Sequence, residues 1–441
     1  MSIQLTTDQV ASMAPDGSSA AAGKKLADAK HWRNLGQSTT LLWGECQGSA
    51  LYQTRVDLAT FTIHCSCPSR KQPCKHGLGL LLLAVTRSEL IPTVGPPEWI
   101  TSWLARREAA NKGKETRKSK ISQIGSEPTR AQKINAEKRH AQVQQGLERL
   151  DLWLNDLVRN GLSQLETQGE KIWEKQAAQM VDAQAPGIAA RLRSMALIPN
   201  SGSNWPERLL LRMGQLALLT QAYYHINELD SALQDDVRQL VGWSLKEEEI
   251  TARGERVSDD WLILGHFTEL AAFGRSQRTW LLGTGTGRAA QIEQFAPKGG
   301  HYPQNLPAGA CWQADLIYWP GAAPLRARVE TIHHTHKHRS GQFPGVNTCG
   351  EFLVEVSTIL ARHPWRERFL CTIHNVVPTY DTNSQQCYIR DRDSYGLPLV
   401  QGEHWHLLAL SGGHTLDFVG EWDGEVLRPL GVSSNDTYYL L

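Results

Sequence analysis

The stretch Cys65-Ser-Cys67, followed after six residues by Cys74-Lys-His76, decides how the N-terminal part of the chain folds. It places three thiols and one imidazole within twelve residues. This soft, four-ligand set suits tetrahedral Zn²⁺, and four protein ligands leave no open position for water or substrate. We therefore expect a structural zinc site. The alternative is a group of packed thiols beside a surface histidine, because free cysteine often behaves as a small hydrophobe.

The residues around these ligands predict a ββα unit. Residues 51–58 and 60–63 alternate as two strands of a hairpin, and residues 77–85 continue as a helix despite two glycines. Because successive strand residues point to opposite faces, Cys65 and Cys67 should share one face. The order is therefore strand, strand, ligand loop, helix, with the last two ligands at the start of the helix.

The pattern Cys-x-Cys, a gap and Cys-x-His, set in ββα, resembles a SWIM zinc finger over about residues 39–90. Proteins with this finger include bacterial chromatin-remodelling-type ATPases and transposases. The resemblance implies zinc binding by a module that contacts DNA or another protein, and it does not imply catalysis. It also makes an ATPase a candidate partner, since this chain itself lacks a Walker phosphate-binding pattern.

Three basic residues, Arg70, Lys71 and Lys75, lie beside the ligands in the sequence. Three thiolates and a neutral histidine around Zn²⁺ leave a formal negative charge, which these cations would offset. They are equally suited to contact phosphate or an acidic partner. His64 is a substitute ligand by residue type, but strand alternation points its side chain away from the cysteine face.

Composition predicts a globular chain without a global electrostatic field. At 441 residues, with 41% hydrophobic and 21% charged residues, two or three domains are expected. A net charge of +1 means that binding to nucleic acid requires a local patch. The five cysteines outside the finger show no framework spacing, and a thiolate zinc site favours a reducing compartment. The start of the chain lacks a secretory pattern and no apolar run spans a bilayer, so we expect a cytoplasmic protein without membrane contact.

The chain divides into four parts, which predict a multidomain α+β fold. An N-terminal domain (1–105) contains the finger, and a basic linker (106–140) carries eleven Lys and Arg against four Glu. Apolar spacings of three and four predict a bundle of four to six helices over 141–260. Strand-like runs predict a mainly antiparallel β domain over 261–441, with a small helix near 350–362.

Smaller elements are also predicted. Residues 18–32 indicate a helix capped by Ser18 or Ser19, residues 44–48 a turn, and residues 404–410 a strand. Cys46 is interpreted as a packed thiol outside the ligand set.

Several other patterns resemble sites. His334, His336 and His338 alternate and would share one strand face, although no accompanying carboxylate is specified. Residues 283–287, Gly-Thr-Gly-Thr-Gly, lack the ending of a phosphate loop and indicate a turn. The remaining candidates are carboxylates interpreted as exposed turn acids: Asp391, Asp393, Glu421 and Asp423.

Two functional hypotheses follow. The first is a non-catalytic adaptor whose zinc finger contacts a protein, with DNA as a second target; the 15 tryptophans fit interface anchors, and the basic linker fits phosphate binding. The second is a metal-dependent enzyme whose site lies in the C-terminal β domain. Convergence of His334 to His338 with acidic residues in a pocket, and a second stoichiometric metal, would distinguish the enzyme.

Overall fold

The computed structural model describes residues 5–107, 130–162, 165, 169–337 and 343–441, except positions 59, 70, 203, 272, 299, 301, 435 and 436. At positions 131–133, 336 and 337 it describes the backbone alone. The fold is α+β, with N-terminal strands and a helix around the Cys/His cluster, a central helical region and C-terminal antiparallel sheets. The predicted fold class is therefore confirmed.

The N-terminal module is larger than a ββα unit, because its strands form a four-stranded antiparallel sheet in the order β1-β2-β3-β4. Two short helices precede the sheet, and the predicted helix over 18–32 is too long. It ends at Lys25, and Trp32 already begins β1. Its cap is Asp16, whose carboxylate accepts the Ser19 N–H at 2.7 Å. The elements are α1 (Thr7–Ser12), α2 (Gly17–Lys25), β1 (Trp32–Gln37), β2 (Leu41–Gln47), β3 (Leu51–Asp57), β4 (Ile63–Cys65), α3 (Lys75–Thr86) and α4 (98–107).

The turn predicted at residues 44–48 is wrong, because Gly44 lies inside β2 and pairs with Thr54. A Cβ atom on Gly44 would stand 2.8 Å from a methyl group of Leu35, so glycine here allows β1 to approach closely. The chain turns after the end of β2, where the Gly48 N–H donates to the Ala50 carbonyl. Glycine in a strand interior often marks such a close approach.

Helix α3 is buried on nearly every side, and its glycines make that possible. A Cβ on Gly77 would lie 2.1 Å from Ile63 Cγ2, and one on Gly79 would lie 2.7 Å from Leu26 Cβ. Gly23 on α2 is equally tight against Leu78. Both glycines of α3 therefore serve close packing against β4 and α2, which outweighs their low helix propensity.

The central region is helical, as predicted, and packs around an apolar core that Trp365 of the C-terminal region joins. Its first helix begins at Arg130, inside the segment predicted as linker. Among the described residues, no helix combines the length and the apolarity that crossing a bilayer requires. The helices are α5 (Arg130–Asn160), α6 (Glu170–Asp182), α7 (Pro186–Met195), α8 (Trp205–Tyr224), α9 (Ser231–Val241) and α10 (Glu247–Arg253).

The C-terminal region consists of two antiparallel sheets. The first has the order β7-β6-β5-β8-β9 and the second the order β12-β11-β10-β13-β14-β15. The predicted helix near 350–362 is present. The elements are β5 (Arg256–Ala271), β6 (Gly274–Gly283), β7 (Ala289–Pro297), β8 (Ala310–Tyr318), β9 (Ala327–Lys337), α11 (Cys349–Arg362), β10 (Phe369–Asp381), β11 (Gln386–Arg390), β12 (Gly396–Pro398), α12 (Trp405–Ser411), β13 (Leu416–Trp422), β14 (Leu427–Ser434) and β15 (Thr437–Leu440).

The strand predicted over 404–410 is wrong, because these residues form most of α12. Leu407 is buried in the core of the second sheet and Leu410 packs beside it, a spacing of three that fits a helix face. Gly412 ends the helix with φ of 54°. A short apolar run does not distinguish helix from strand, which explains the error.

The first sheet lies between the zinc module and the second sheet. Strand residues Trp261 and Ile263 join a core that includes Leu78 and other residues of the zinc module. Their neighbours Leu262 and Leu264 point the other way and pack against the second sheet. The zinc module is therefore packed firmly onto the sheet.

Candidate zinc centre

All four predicted ligands meet at one point. One ligand atom from each of Cys65, Cys67, Cys74 and His76 lies within 4.8 Å of all the others. His76 Nδ1 stands 3.7 Å from Cys65 Sγ and 4.0 Å from Cys74 Sγ. The arrangement gives three sulfur atoms and one nitrogen around a common centre, which matches a Cys₃His zinc site.

Secondary structure fixes each ligand. Cys65 closes β4, and Cys67 follows two residues later with its ligand atom close to that of Cys65. Cys74 is the N-cap of α3, yet its side chain makes no capping hydrogen bond and so remains available to a metal. His76 lies in the first turn. The positive end of the helix dipole thus lies next to the thiolates and favours their charge.

Two residues of β3 support the ligands, and both were missed in the sequence. Thr54 is buried, and its hydroxyl donates to Cys65 Sγ at 3.2 Å. The Tyr52 ring lies 4.9 Å from the His76 ring, centroid to centroid. Such neighbours orient metal ligands. Strand alternation could have found them, because Tyr52 and Thr54 share the face of β3 that looks onto the cluster.

The electrostatics of the cluster fit a bound cation. A hydrogen bond with the Cys74 thiol lowers the pKa of Cys65 to about 3. The same contact, together with burial, raises the pKa of Cys74 well above its usual range. Burial also raises the pKa of Cys67. A divalent cation would supply the positive charge that allows all three thiolates to lie together.

The other cysteines take no part in the cluster. All eight cysteines are free thiols, and the remaining five are buried. Burial raises the pKa of Cys46 to about 11, and its side chain lies in the shared core. It is a packed thiol, as expected.

The predicted contact residues have different surroundings. Arg70 lies outside the described residues. Lys71 Nζ lies 2.8 Å from a carboxylate oxygen of Asp16 and so joins the ligand loop to the cap of α2. Lys75 is exposed, and with Lys71 it borders a cleft of about 390 Å³ beside the cluster. Their contact with a partner stays a prediction.

His64 points away from the ligands, as strand alternation predicted. Its ring lies 5.9 Å from the ring of Trp103 on α4, on the opposite side of the sheet from Cys65. It is therefore placed among the residues of α4 and is not a zinc ligand.

The histidine run lies on β9 and just beyond it. His334 is exposed, while the side chain of His336 and all of His338 lie outside the described residues. His333 Nε2 lies 2.8 Å from an Asp315 carboxylate oxygen. Within the described part of the chain, the Cys/His cluster is the one group of three or more side chains able to hold a metal.

Two carboxylates interpreted as exposed turn acids are in fact buried. Glu421 lies on β13 and accepts from Arg278 Nε at 2.8 Å and from Trp280 Nε1 at 2.7 Å. Asp391 accepts the backbone N–H of Cys349 at 2.7 Å and of Tyr395 at 2.9 Å. Both interpretations were wrong because each carboxylate also meets a partner distant in sequence, Arg278 for Glu421 and Cys349 for Asp391.

The other turn predictions agree with the structure. Asp393 and Asp423 are exposed. Residues 283–287 connect β6 to β7, and the Asp259 carboxylate accepts the N–H groups of Gly285 and Thr286 at 3.0 and 2.8 Å. The glycine-rich segment is therefore a turn closed by the protein's own carboxylate.

A Cys₃His cluster held between a small sheet and a helix, with Cys74 and His76 buried and Cys65 and Cys67 half-buried, defines a structural zinc finger. Comparison with known families identifies residues 52–84 as a SWIM zinc finger and residues 138–241 as a SWIM-associated four-helix bundle domain. The chain therefore contains a SWIM zinc finger and a SWIM-associated helical bundle, and in these regions it is similar to SWIM-type zinc finger proteins. In the sequence analysis the resemblance covered the finger alone. The second match extends it to the helical region. No curated protein and no solved structure matches the chain.

Proposed function

We propose that this protein is a non-catalytic adaptor whose zinc finger holds together a surface for a protein or DNA partner. The observation that carries the proposal is the closed ligand set. Four protein side chains converge within 4.8 Å, which leaves zinc no coordination position for a substrate.

The placement of the finger supports this role. Helix α3 joins a core that continues into the first sheet, so zinc would stabilise a large part of the molecule as well as its own loop. A rigid finger carried on such a base is suited to presenting side chains to a partner. An ATPase partner rests on the resemblance to other SWIM proteins. Eight free thiols fit a reducing compartment such as the cytoplasm.

The test compares zinc-loaded protein with the Cys67→Ser, His76→Ala double variant. DNA binding is measured by anisotropy, and protein partners by cross-linking in the native host followed by mass spectrometry. We expect specific contacts to disappear in the double variant and to persist in Cys46→Ala, which changes a buried thiol outside the cluster. If the zinc-free variant keeps every contact, the finger is not the binding module.

A further inference from the structure

The sheet of the zinc module has a second face, which does not touch the cluster. On β3 the residues Gln53, Arg55 and Asp57 alternate with those that face the zinc ligands. Together with His64 they form one wall of a groove of about 1120 Å³. The other walls are α4 and residues 302–304, which precede β8.

The groove has more cations than anions in its lining, with three arginines against the carboxylates of Asp57 and Glu98. Arg55, Arg106 and Arg107 line it, and of these Arg107 forms an ion pair with Asp57. Among the described residues, neither Arg55 nor Arg106 has a carboxylate partner. Burial and the nearby Arg106 lower the pKa of the Arg55 guanidinium, which shows two like charges held close together.

Aromatic rings lie between these charges. The Arg55 guanidinium stands 4.5 Å from the centre of the Trp103 ring, a cation–π contact that fixes its position. Trp99 and Tyr302 also line the groove and are partly exposed. They present flat apolar surfaces beside the arginines.

Three polar atoms at the groove lack a partner within the described chain. These atoms are Arg55 Nε, Trp99 Nε1 and the Tyr302 hydroxyl, all of them able to donate a hydrogen bond. All three atoms are shielded from solvent in this structure, so a ligand would reach them only after the side chains shift. The groove therefore combines fixed cations with aromatic faces.

We propose that this groove binds single-stranded nucleic acid, with phosphates on Arg55 and Arg106 and bases against Trp99 and Tyr302. A positive groove with interspersed aromatic side chains is the usual construction of a site for single strands. A concave cleft between a sheet and a helix admits a flexible strand more easily than the convex surface of a duplex. The proposal rests on the proposed function, because it names the partner class of the zinc module.

Local sequence charge favours a polyanion over a single acidic peptide. Arg106 and Arg107 open the segment 106–140, where eleven Lys and Arg face four Glu. Each phosphate that such cations neutralise releases counterions, which favours a polyanion. The aromatic walls add a surface that bases use and acidic side chains do not.

The experiment measures the anisotropy of a labelled oligothymidine over a salt series with zinc-loaded full-length protein. A duplex of equal length and a polyglutamate peptide serve as competitors. We expect the single strand to bind several-fold more tightly than either. In Arg106→Gln the affinity should fall several-fold, and the slope of log affinity against log salt should fall by about 0.7. Arg33→Gln, which changes an exposed arginine on β1 away from the groove, should change neither.

A double variant, Arg55→Gln with Arg106→Gln, should lower the slope by about 1.4, twice the single-strand value for one phosphate. Zinc content and circular dichroism show whether the finger of the double variant is folded. If the double variant is unfolded, the salt slope of Arg106→Gln alone tests the groove assignment. Preferred binding of polyglutamate or duplex, or an unchanged slope in Arg106→Gln, overturns the groove assignment. Such a result leaves the adaptor role intact, because that role fails only if zinc-free protein keeps its partners.

Discussion

Adjacent residues of strands β3 and β4 point to opposite faces of the sheet, and the two faces have different surroundings. Thr54 and Cys65 look inward, where the hydroxyl and thiol contact each other at 3.2 Å beside the zinc ligands. Arg55 and His64 look outward onto a groove of about 1120 Å³. The inner face brings the four ligands together, whereas on the outer face the arginines Arg55 and Arg106 have no carboxylate partner among the described residues. The difference indicates that the inner face maintains the fold and the outer face is available for binding.

The largest effect should come from removing two inner ligands. The Cys67→Ser, His76→Ala variant should lose zinc and unfold the module around α3, because structural zinc contributes about 10–16 kcal/mol in finger peptides near neutral pH. Zinc content after desalting and tryptophan fluorescence are the measurements. Cys46→Ala is the matched control and should keep its zinc. A double variant that retains the full metal content would refute the ligand assignment.

A buried ion pair far from the finger should separate global stability from zinc binding. Glu421 and Arg278 are both almost fully buried and lie 2.8 Å apart across the two sheets. Glu421→Ala leaves the guanidinium buried without its main partner, so we expect a loss of about 3–5 kcal/mol in unfolding free energy. Urea unfolding measures the loss, while zinc content should stay at the wild-type value. If the urea midpoint of the variant equals that of the wild type, the ion pair does not contribute to stability.

The close contact between Gly77 and Ile63 predicts an intermediate effect on the free energy of unfolding. In Gly77→Ala the new methyl would lie 2.1 Å from Ile63 Cγ2, so α3 and β4 must separate. We expect a cost of about 1–3 kcal/mol, typical of overpacking. Zinc release during urea titration reports it, and shortening the opposing side chain with Ile63→Ala should recover part of the loss. Gly95→Ala is the control, since nothing lies within 4 Å of its added Cβ. Equal midpoints for the two glycine variants would contradict the packing argument.

The outer face should show the smallest effect on folding. Arg106 is exposed and its Nε donates to the Ser102 carbonyl within its own helix at 3.1 Å. Arg106→Gln should change the unfolding free energy by no more than about 0.5 kcal/mol, as is usual for surface positions. Urea unfolding and zinc content measure this, and both should match the wild type. A substantial loss of zinc in this variant would remove the distinction between the two faces.

The sequence could predict the zinc centre because its ligands lie within twelve residues and their spacing alone places them. The same alternation correctly turned His64 away from the cluster. The sequence pattern could not predict features that depend on contacts between residues far apart in the chain. The pairing of Trp32 with β2 and the core that joins Leu78 to Trp261 depend on segments that only folding brings together. Glu421 meets Arg278 for the same reason.

The groove also could not be predicted, because its walls come from three separate segments. Arg55 belongs to β3, Trp103 to α4 and Tyr302 to the chain before β8. Each of these residues is unremarkable in its own sequence context. Their combination into a basic, aromatic surface becomes visible only when the module is packed on the first sheet.

The central claim is that the inner face holds one structural zinc with three sulfur ligands and one nitrogen. X-ray absorption at the zinc edge of the full-length, zinc-loaded protein tests it directly. We expect one zinc per chain, with three sulfur atoms at about 2.3 Å and one nitrogen at about 2.0 Å. A spectrum that requires an oxygen ligand from water, or a shell dominated by nitrogen, would contradict it.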